Sequence, residues 1–172
     1  MPPSSRSASP SSVNLRTSSF LLAALLALPV ASRAATSCTV ASTTLIFGPY
    51  DVFNGSPLDT QADVVVTCTR NGGAPGTTVE VALGPSTTSG AIATRRLRRL
   101  AGVDLLDYNL YRDAARLGVW GQTSGVDTVA KALSVPNKSS ANVSFTVFGR
   151  IPAGQDPSVG SYSDSLLVTI SY

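Results

Sequence analysis

Between Ala62 and Thr69 every second side chain belongs to one set: Ala62, Val64, Val66 and Cys68 share one face, and Asp63, Val65, Thr67 and Thr69 the other. A two-residue period rich in β-branched residues is the pattern of a half-buried strand, because side chains on extended backbone point alternately to opposite faces. The same alternation returns four times. Val79, Val81 and Leu83 alternate with Thr78, Glu80 and Ala82, and Leu106, Tyr108 and Leu110 with Asp107, Asn109 and Tyr111. Val143, Phe145 and Val147 alternate with Ser144, Thr146 and Phe148, and Leu166, Val168, Ile170 and Tyr172 with Leu167, Thr169 and Ser171. Weaker strand patterns cover Thr39 to Phe47, Leu97 to Ala101 and Val126 to Leu133. Asn71-Gly72-Gly73 is the strongest turn signal and predicts that the strands on either side of it pair with each other. Residues 93–106 read either as an amphipathic helix through Leu97, Leu100 and Val103 or as a β-hairpin; Gly102, and the period of two that follows Asp104, favour the hairpin. Roughly seven or eight short strands at this spacing predict an all-β fold, an antiparallel sandwich of immunoglobulin-like type.

With 172 residues, 43% of them hydrophobic, the chain is long enough for one domain with a real core. Its net charge of +3 is not a property of that domain. Arg6, Arg16 and Arg33 lie among the first 34 residues, where there is no acidic residue; the remaining ten basic residues face ten acidic ones. The basic pI is therefore no argument for nucleic acid or an anionic membrane as partner. Histidine is absent. That removes the Ser-His-Asp and Cys-His arrangements, the usual zinc ligand sets and the commonest general base, and no phosphate loop, calcium loop or internal repeat is present. No cofactor is implied, and the expectation is a protein that is not an enzyme.

Phe20 to Leu28 is an uninterrupted apolar run of nine residues, preceded by Arg6 and Arg16 and followed by Pro29 and small residues. As a helix it rises only about 14 Å, roughly half a bilayer core, too little for a stable anchor. The pattern is that of a secretory signal peptide over residues 1–34, with Ser32 and Ala34 at the −3 and −1 positions and a mature chain from about Ala35 that has no membrane span. Export into an oxidising compartment would let Cys38 and Cys68 pair, closing a loop of about 30 residues, although two free buried thiols remain an open reading.

The one charge run, Arg95-Arg96-Leu97-Arg98-Arg99, is either a surface for an anionic polymer or a solvated strand edge that discourages edge pairing. Trp120 is either part of a small adhesive patch with those arginines or a core residue. Asp104, Asp107 and Asp113 are ordinary aspartates rather than an acid/base set. Asn54, Asn137 and Asn142 head glycosylation sequons. The alternating segment from Leu166 to Tyr172 is either the last strand of a closed sandwich or an edge ready to take an added strand.

Several runs together resemble the spore coat protein U domain, shared with pilin subunits of archaic (Csu-type) chaperone–usher fibres. They are Cys38-Thr-Val, Leu45-Ile-Phe-Gly-Pro-Tyr50, Val66-Thr-Cys68, Tyr108-Asn-Leu-Tyr-Arg-Asp113 and Trp120-Gly121, then Thr146-Val-Phe-Gly-Arg-Ile-Pro152 with Gly154-Gln155, and finally the stretch from Gly160 to Tyr172. The resemblance implies an immunoglobulin-like sandwich lacking its final strand, completed by donor-strand complementation. Its partners would be a periplasmic chaperone, an outer-membrane usher and neighbouring pilin or coat subunits. By analogy the open edge would run along Thr39 to Phe47, with Leu45 and Phe47, and along the last strand, with Leu166, Val168, Ile170 and Tyr172. The protein would pass through the periplasm to the cell surface, a fimbria or a coat, as a structural subunit or alternatively as a tip adhesin or stand-alone secreted binding module. One departure is expected: with cleavage after Ala34 only Ala35, Thr36 and Ser37 precede Cys38, fewer than the roughly five residues of an ordinary strand.

Overall fold

The computed structural model describes residues 35–41 and 43–172, so the signal-peptide expectation lies outside the described residues. Nine strands are described: β1 (Ala35–Val40), β2 (Leu58–Asn71), β3 (Gly76–Leu83), β4 (Arg95–Arg99), β5 (Leu105–Tyr111), β6 (Val129–Ser134), β7 (Ser139–Ile151), β8 (Tyr162–Ser163) and β9 (Val168–Ser171). They form an immunoglobulin-like antiparallel sandwich, with one sheet in the order β1-β2-β7-β5-β4-β8 and a smaller one in the order β6-β3-β9. No helix among the described residues is long and apolar enough to cross a membrane.

The spine is the β2–β7 ladder, which runs from Leu58 opposite Ile151 to Arg70 opposite Ser139. Alternation assigns the faces: Val64, Val66 and Cys68 of β2 and Phe145, Val147 and Ile151 of β7 are buried between the sheets. From the opposing layer Val79, Val81 and Leu83 of β3 close over them. Trp120 fills the centre; its indole N–H donates to the Val81 carbonyl at 2.9 Å, and its ring lies 6.5 Å from that of Phe145. On the β6 side the sandwich is laced shut by Lys131, whose Nζ donates to the Ser144 carbonyl and sits 5.2 Å from the Phe145 ring centroid.

The strands flanking Asn71-Gly72-Gly73 are not paired with each other. β2 already has β1 on one side and β7 on the other, so β3 has no place beside it and joins the other sheet, between β6 and β9. Both glycines have positive φ, 91° and 77°, and the Arg70 guanidinium donates to their carbonyls and to that of Val135, holding the chain as it leaves one sheet for the other. The first strand also differs from expectation. Extended pairing ends at Val40, and residues 43–50 run on without joining either ladder. Residues 95–108 form the hairpin rather than the helix, with Arg95 opposite Tyr108 and Arg98 opposite Leu105.

Candidate functional site: an open groove beside the last strand

Opposite the laced side, the sandwich is open. β9 is the end strand of its sheet and bonds only to β3. Gly84 N–H donates to the Leu167 carbonyl and Thr87 N–H to the Ser165 carbonyl, which carries the pairing upstream of the strand proper. Residues 165 and 167 therefore spend their backbone groups on the β3 side. By the alternation of an extended chain, Leu166, Val168 and Ile170 aim theirs at the free edge.

The facing wall is the segment 43–50. Among the described residues its backbone forms no backbone–backbone hydrogen bond. Side chains hold it instead: Thr43 Oγ1 donates to the Asp63 carbonyl, Thr60 Oγ1 to the Ile46 carbonyl at 2.7 Å, and Tyr50 Oη to the Pro152 carbonyl. Leu45 and Phe47 lie on the inner face of β7 directly over Gly149, and the Phe47 ring meets Tyr108 edge-on at 5.8 Å. Glycine is required there by close approach: a Cβ on Gly149 would stand 2.9 Å from Phe47 Cζ and 3.0 Å from Leu45 Cδ2. Gly149→Val is accordingly expected to push residues 43–50 off the sheet. A loss of about 1–3 kcal/mol in urea unfolding, with new proteolytic cleavage between residues 41 and 57, is the expected result.

Between the two walls lies a cavity of about 380 Å³ with an apolar floor of Val64, Leu83, Leu110 and Val147. A second, of about 750 Å³, continues it between residues 44–53 and 157–164. Leu45, Phe47, Leu97 and Asp164 line both, so the two make one trough. Two carboxylates line it, the exposed Asp51 and the half-buried Asp164. Burial pushes the Asp164 carboxyl up, but hydrogen bonds from its neighbours, among them Tyr108 Oη and the Thr88 N–H, outweigh that and hold it below the ordinary aspartate value. Tyr108 Oη donates to Asp164 Oδ2 at 2.7 Å, and burial keeps the phenol protonated well beyond its usual range. The pair ties the groove wall ahead of β9 to the core of the larger sheet.

The apolar trough thus has the free edge of β9 on one side and, on the other, a segment that joins neither sheet. Residues 24–169 match the Spore Coat Protein U domain. The chain belongs to that family. It is similar to Protein U of Myxococcus xanthus, with 34% identity over 134 residues, covering 75% of this chain and 72% of that protein. Among solved structures it is similar to a chain of the CsuC–CsuE chaperone–tip adhesion subunit pre-assembly complex from archaic chaperone–usher Csu pili of Acinetobacter baumannii. That likeness has 17% identity and a TM-score of 0.49, and covers 80% of this chain and 40% of the other. The E. coli Hda pilus minor tip subunit, HdaB, is similar at 14% identity and a TM-score of 0.34, over 77% of this chain and 79% of that one.

In this spore coat protein U domain the expected edge residues divide. Leu45, Phe47, Leu166 and Val168 line the groove; Ile170 packs against the core beyond it; Tyr172, 54% exposed, stands outside. Cys38 and Cys68 are directly opposed on β1 and β2 and are disulfide-bonded. The expected surface patch does not form. Arg95 and Trp120 are 0% and 1% exposed, so neither can meet a ligand at the surface. On a strand a run of arginines cannot all point outward. Arg95 turns inward, Arg96 bridges Asp107 at 2.8 Å, Arg99 bridges Asp104 at 3.3 Å, and Arg98 is left exposed. Sequence reasoning missed Gly149, Asp164, Thr43 and Thr60. Only Gly149, a glycine inside a strongly alternating strand, carried a sequence signal of close approach.

Proposed function

We propose that this domain is a non-catalytic structural subunit of a bacterial surface fibre or coat, assembled when a strand supplied by another chain fills the groove between residues 43–50 and β9. The observation that carries this reading is the pairing of two free backbone edges across an apolar floor. A strand inserted there would bond to Leu166, Val168 and Ile170 and cover Leu45 and Phe47, removing apolar surface from water at about 25 cal/mol per Å². The first donor would be a periplasmic chaperone and the second a neighbouring subunit at an outer-membrane usher, after residues 1–34 have directed export and been removed. Ala35 to Ser37 already pair with β2. A chain cut after Ala34 would thus accept a strand without having one to give, which suits a tip, a terminator or a coat protein better than a repeating shaft subunit.

Expression in the periplasm tests this. Alone, the protein is expected to aggregate or be degraded; with a chaperone encoded beside it, it should be recovered as a soluble one-to-one complex. Val168→Asp, which sets a charge on the groove wall, should abolish recovery with the chaperone, while Val168→Ile should preserve it. A cooperatively folding monomer that needs no partner, or chaperone capture indifferent to Val168→Asp, would overturn the proposal.

A further inference from the structure

The open trough is apolar along its floor and acidic at one end. Leu166 and Val168 flank the floor of Val64, Leu83, Leu110 and Val147. Beyond them the trough continues between residues 44–53 and 157–164, where its lining includes Asp51 and Asp164. Among the described residues no lysine or arginine lines either part. Neither carboxylate forms an ion pair among the described residues.

Neutral donors hold Asp164. Its Oδ1 accepts from Thr87 Oγ1 at 3.1 Å and from the Thr88 N–H at 3.2 Å, and its Oδ2 from Tyr108 Oη. Such bonds keep a carboxylate ionised without cancelling its charge. Asp51 Oδ1 accepts the Phe53 N–H, again from a neutral group. While the trough is open, water screens both charges. A strand laid along it takes that water from Asp164, and covering an unpaired charge is unfavourable unless the covering segment brings the opposite one.

Alternation says where that charge belongs. Asp164, Leu166 and Val168 share one parity along the chain and line the same cavity. Side chains of one parity on extended backbone recur at a step of roughly 7 Å. An added strand has the same step, so its inward side chains fall against Val168 and Leu166 and the next one falls at Asp164. A lysine or arginine there answers the carboxylate while its apolar stem covers the adjoining floor. Asp51, on the facing wall, adds to the same negative potential.

We infer that the segment completing this groove is a strand with a basic end: apolar side chains alternate over the floor, and a lysine or arginine at the next inward position meets the Asp51–Asp164 end. The inference rests on the strand-accepting reading proposed above and adds the chemistry by which the groove selects its occupant. A segment with an acidic residue at that position is disfavoured by like charge.

The test extends the full chain at Tyr172 by an Asn-Gly turn and a strand of about nine residues alternating valine with threonine, which returns along the free edge of β9 toward Asp164. Three versions differ only in the last inward residue, which is lysine, glutamine or glutamate. Each is expressed in the periplasm and unfolded in urea, with Trp120 fluorescence as the signal. The lysine version should have a folded-to-unfolded ratio at least fivefold above the glutamine version, the glutamate version should fall below both, and added salt should shrink the spread. Asp51→Asn with Asp164→Asn should bring the three within about twofold of one another. Asp51→Asn alone, at an exposed position, should narrow the spread and decides the matter where the Asp164 substitution prevents folding. Three equally stable versions, or a spread that survives these substitutions, overturn the inference and leave the strand-accepting groove standing. If no version yields a soluble folded domain, the groove reading fails and the inference with it.

Discussion

Arg95→Met is expected to remove roughly 3–5 kcal/mol of stability, enough to abolish folding in a domain of ordinary stability, whereas Arg96→Met beside it should cost less than about 1 kcal/mol. The difference follows from which way each side chain points. Arg95 makes five hydrogen bonds inside the sandwich: Nε and Nη2 to the Gly84 carbonyl, Nη2 also to those of Leu83 and Trp120, and Nη1 to Asn109 Oδ1 at 2.8 Å. Those acceptors come from both sheets, so one guanidinium pins β3 to β5 and to the segment carrying Trp120. Methionine would fill much of the space and leave the Leu83, Gly84 and Trp120 carbonyls without their buried donor, at about 1–3 kcal/mol for each that cannot find water, while Asn109 Oδ1 keeps the Leu110 N–H. Among the described residues no carboxylate forms an ion pair with the group. Burial draws its pKa below the usual arginine value, while Tyr108, Asp164 and Asp127 partly offset this. Arg96 sits in a bridge to Asp107 whose side chains are 43% and 41% exposed, a setting where ion pairs contribute little. Urea unfolding followed by Trp120 fluorescence, in whichever soluble form the protein is obtained, separates the two. An Arg95→Met variant within 1 kcal/mol of wild type would refute the argument.

Removing the disulfide by Cys38→Ala with Cys68→Ala is expected to cost about 3–4 kcal/mol, the chain-entropy value for a loop of this size. The expected damage is local as well as global. The two cysteines are 30 residues apart, and the loop between them contains the whole groove wall 43–50. That wall is held by a few side-chain hydrogen bonds and by Leu45 and Phe47 over Gly149, with β1 as its upstream anchor. Freed of the disulfide, β1 keeps only its ladder to β2, and the wall should open. Limited proteolysis should then cut residues 41–57 at least tenfold faster in the double variant than in wild type, while β2 and β7 stay protected. Equal cutting in both proteins would mean that the wall stands without the disulfide.

The strands with the clearest alternation, β2, β3, β5, β7 and β9, were all legible before any coordinates, because the two-residue period is a local property and burial on one face enforces it. The groove was less so. Leu45, Phe47, Leu166 and Val168 were reached through the family resemblance, and the structure adds what holds them: Gly149 leaving room for two side chains, and Asp164 bound to Tyr108. Neither pairing lies within one strand, so no periodicity reveals it.

Sequence alone therefore determined the class of element, the face each side chain takes along a strand, and the absence of histidine chemistry, since these depend on residue type and near neighbours. Tertiary structure decided which strands pair. Asn71-Gly72-Gly73 permits a hairpin as readily as a crossing, and only the prior occupancy of both edges of β2 sends β3 to the other sheet. It also decided which arginine of the run is interior, because whether a strand face meets solvent or core depends on what the rest of the chain lays over it.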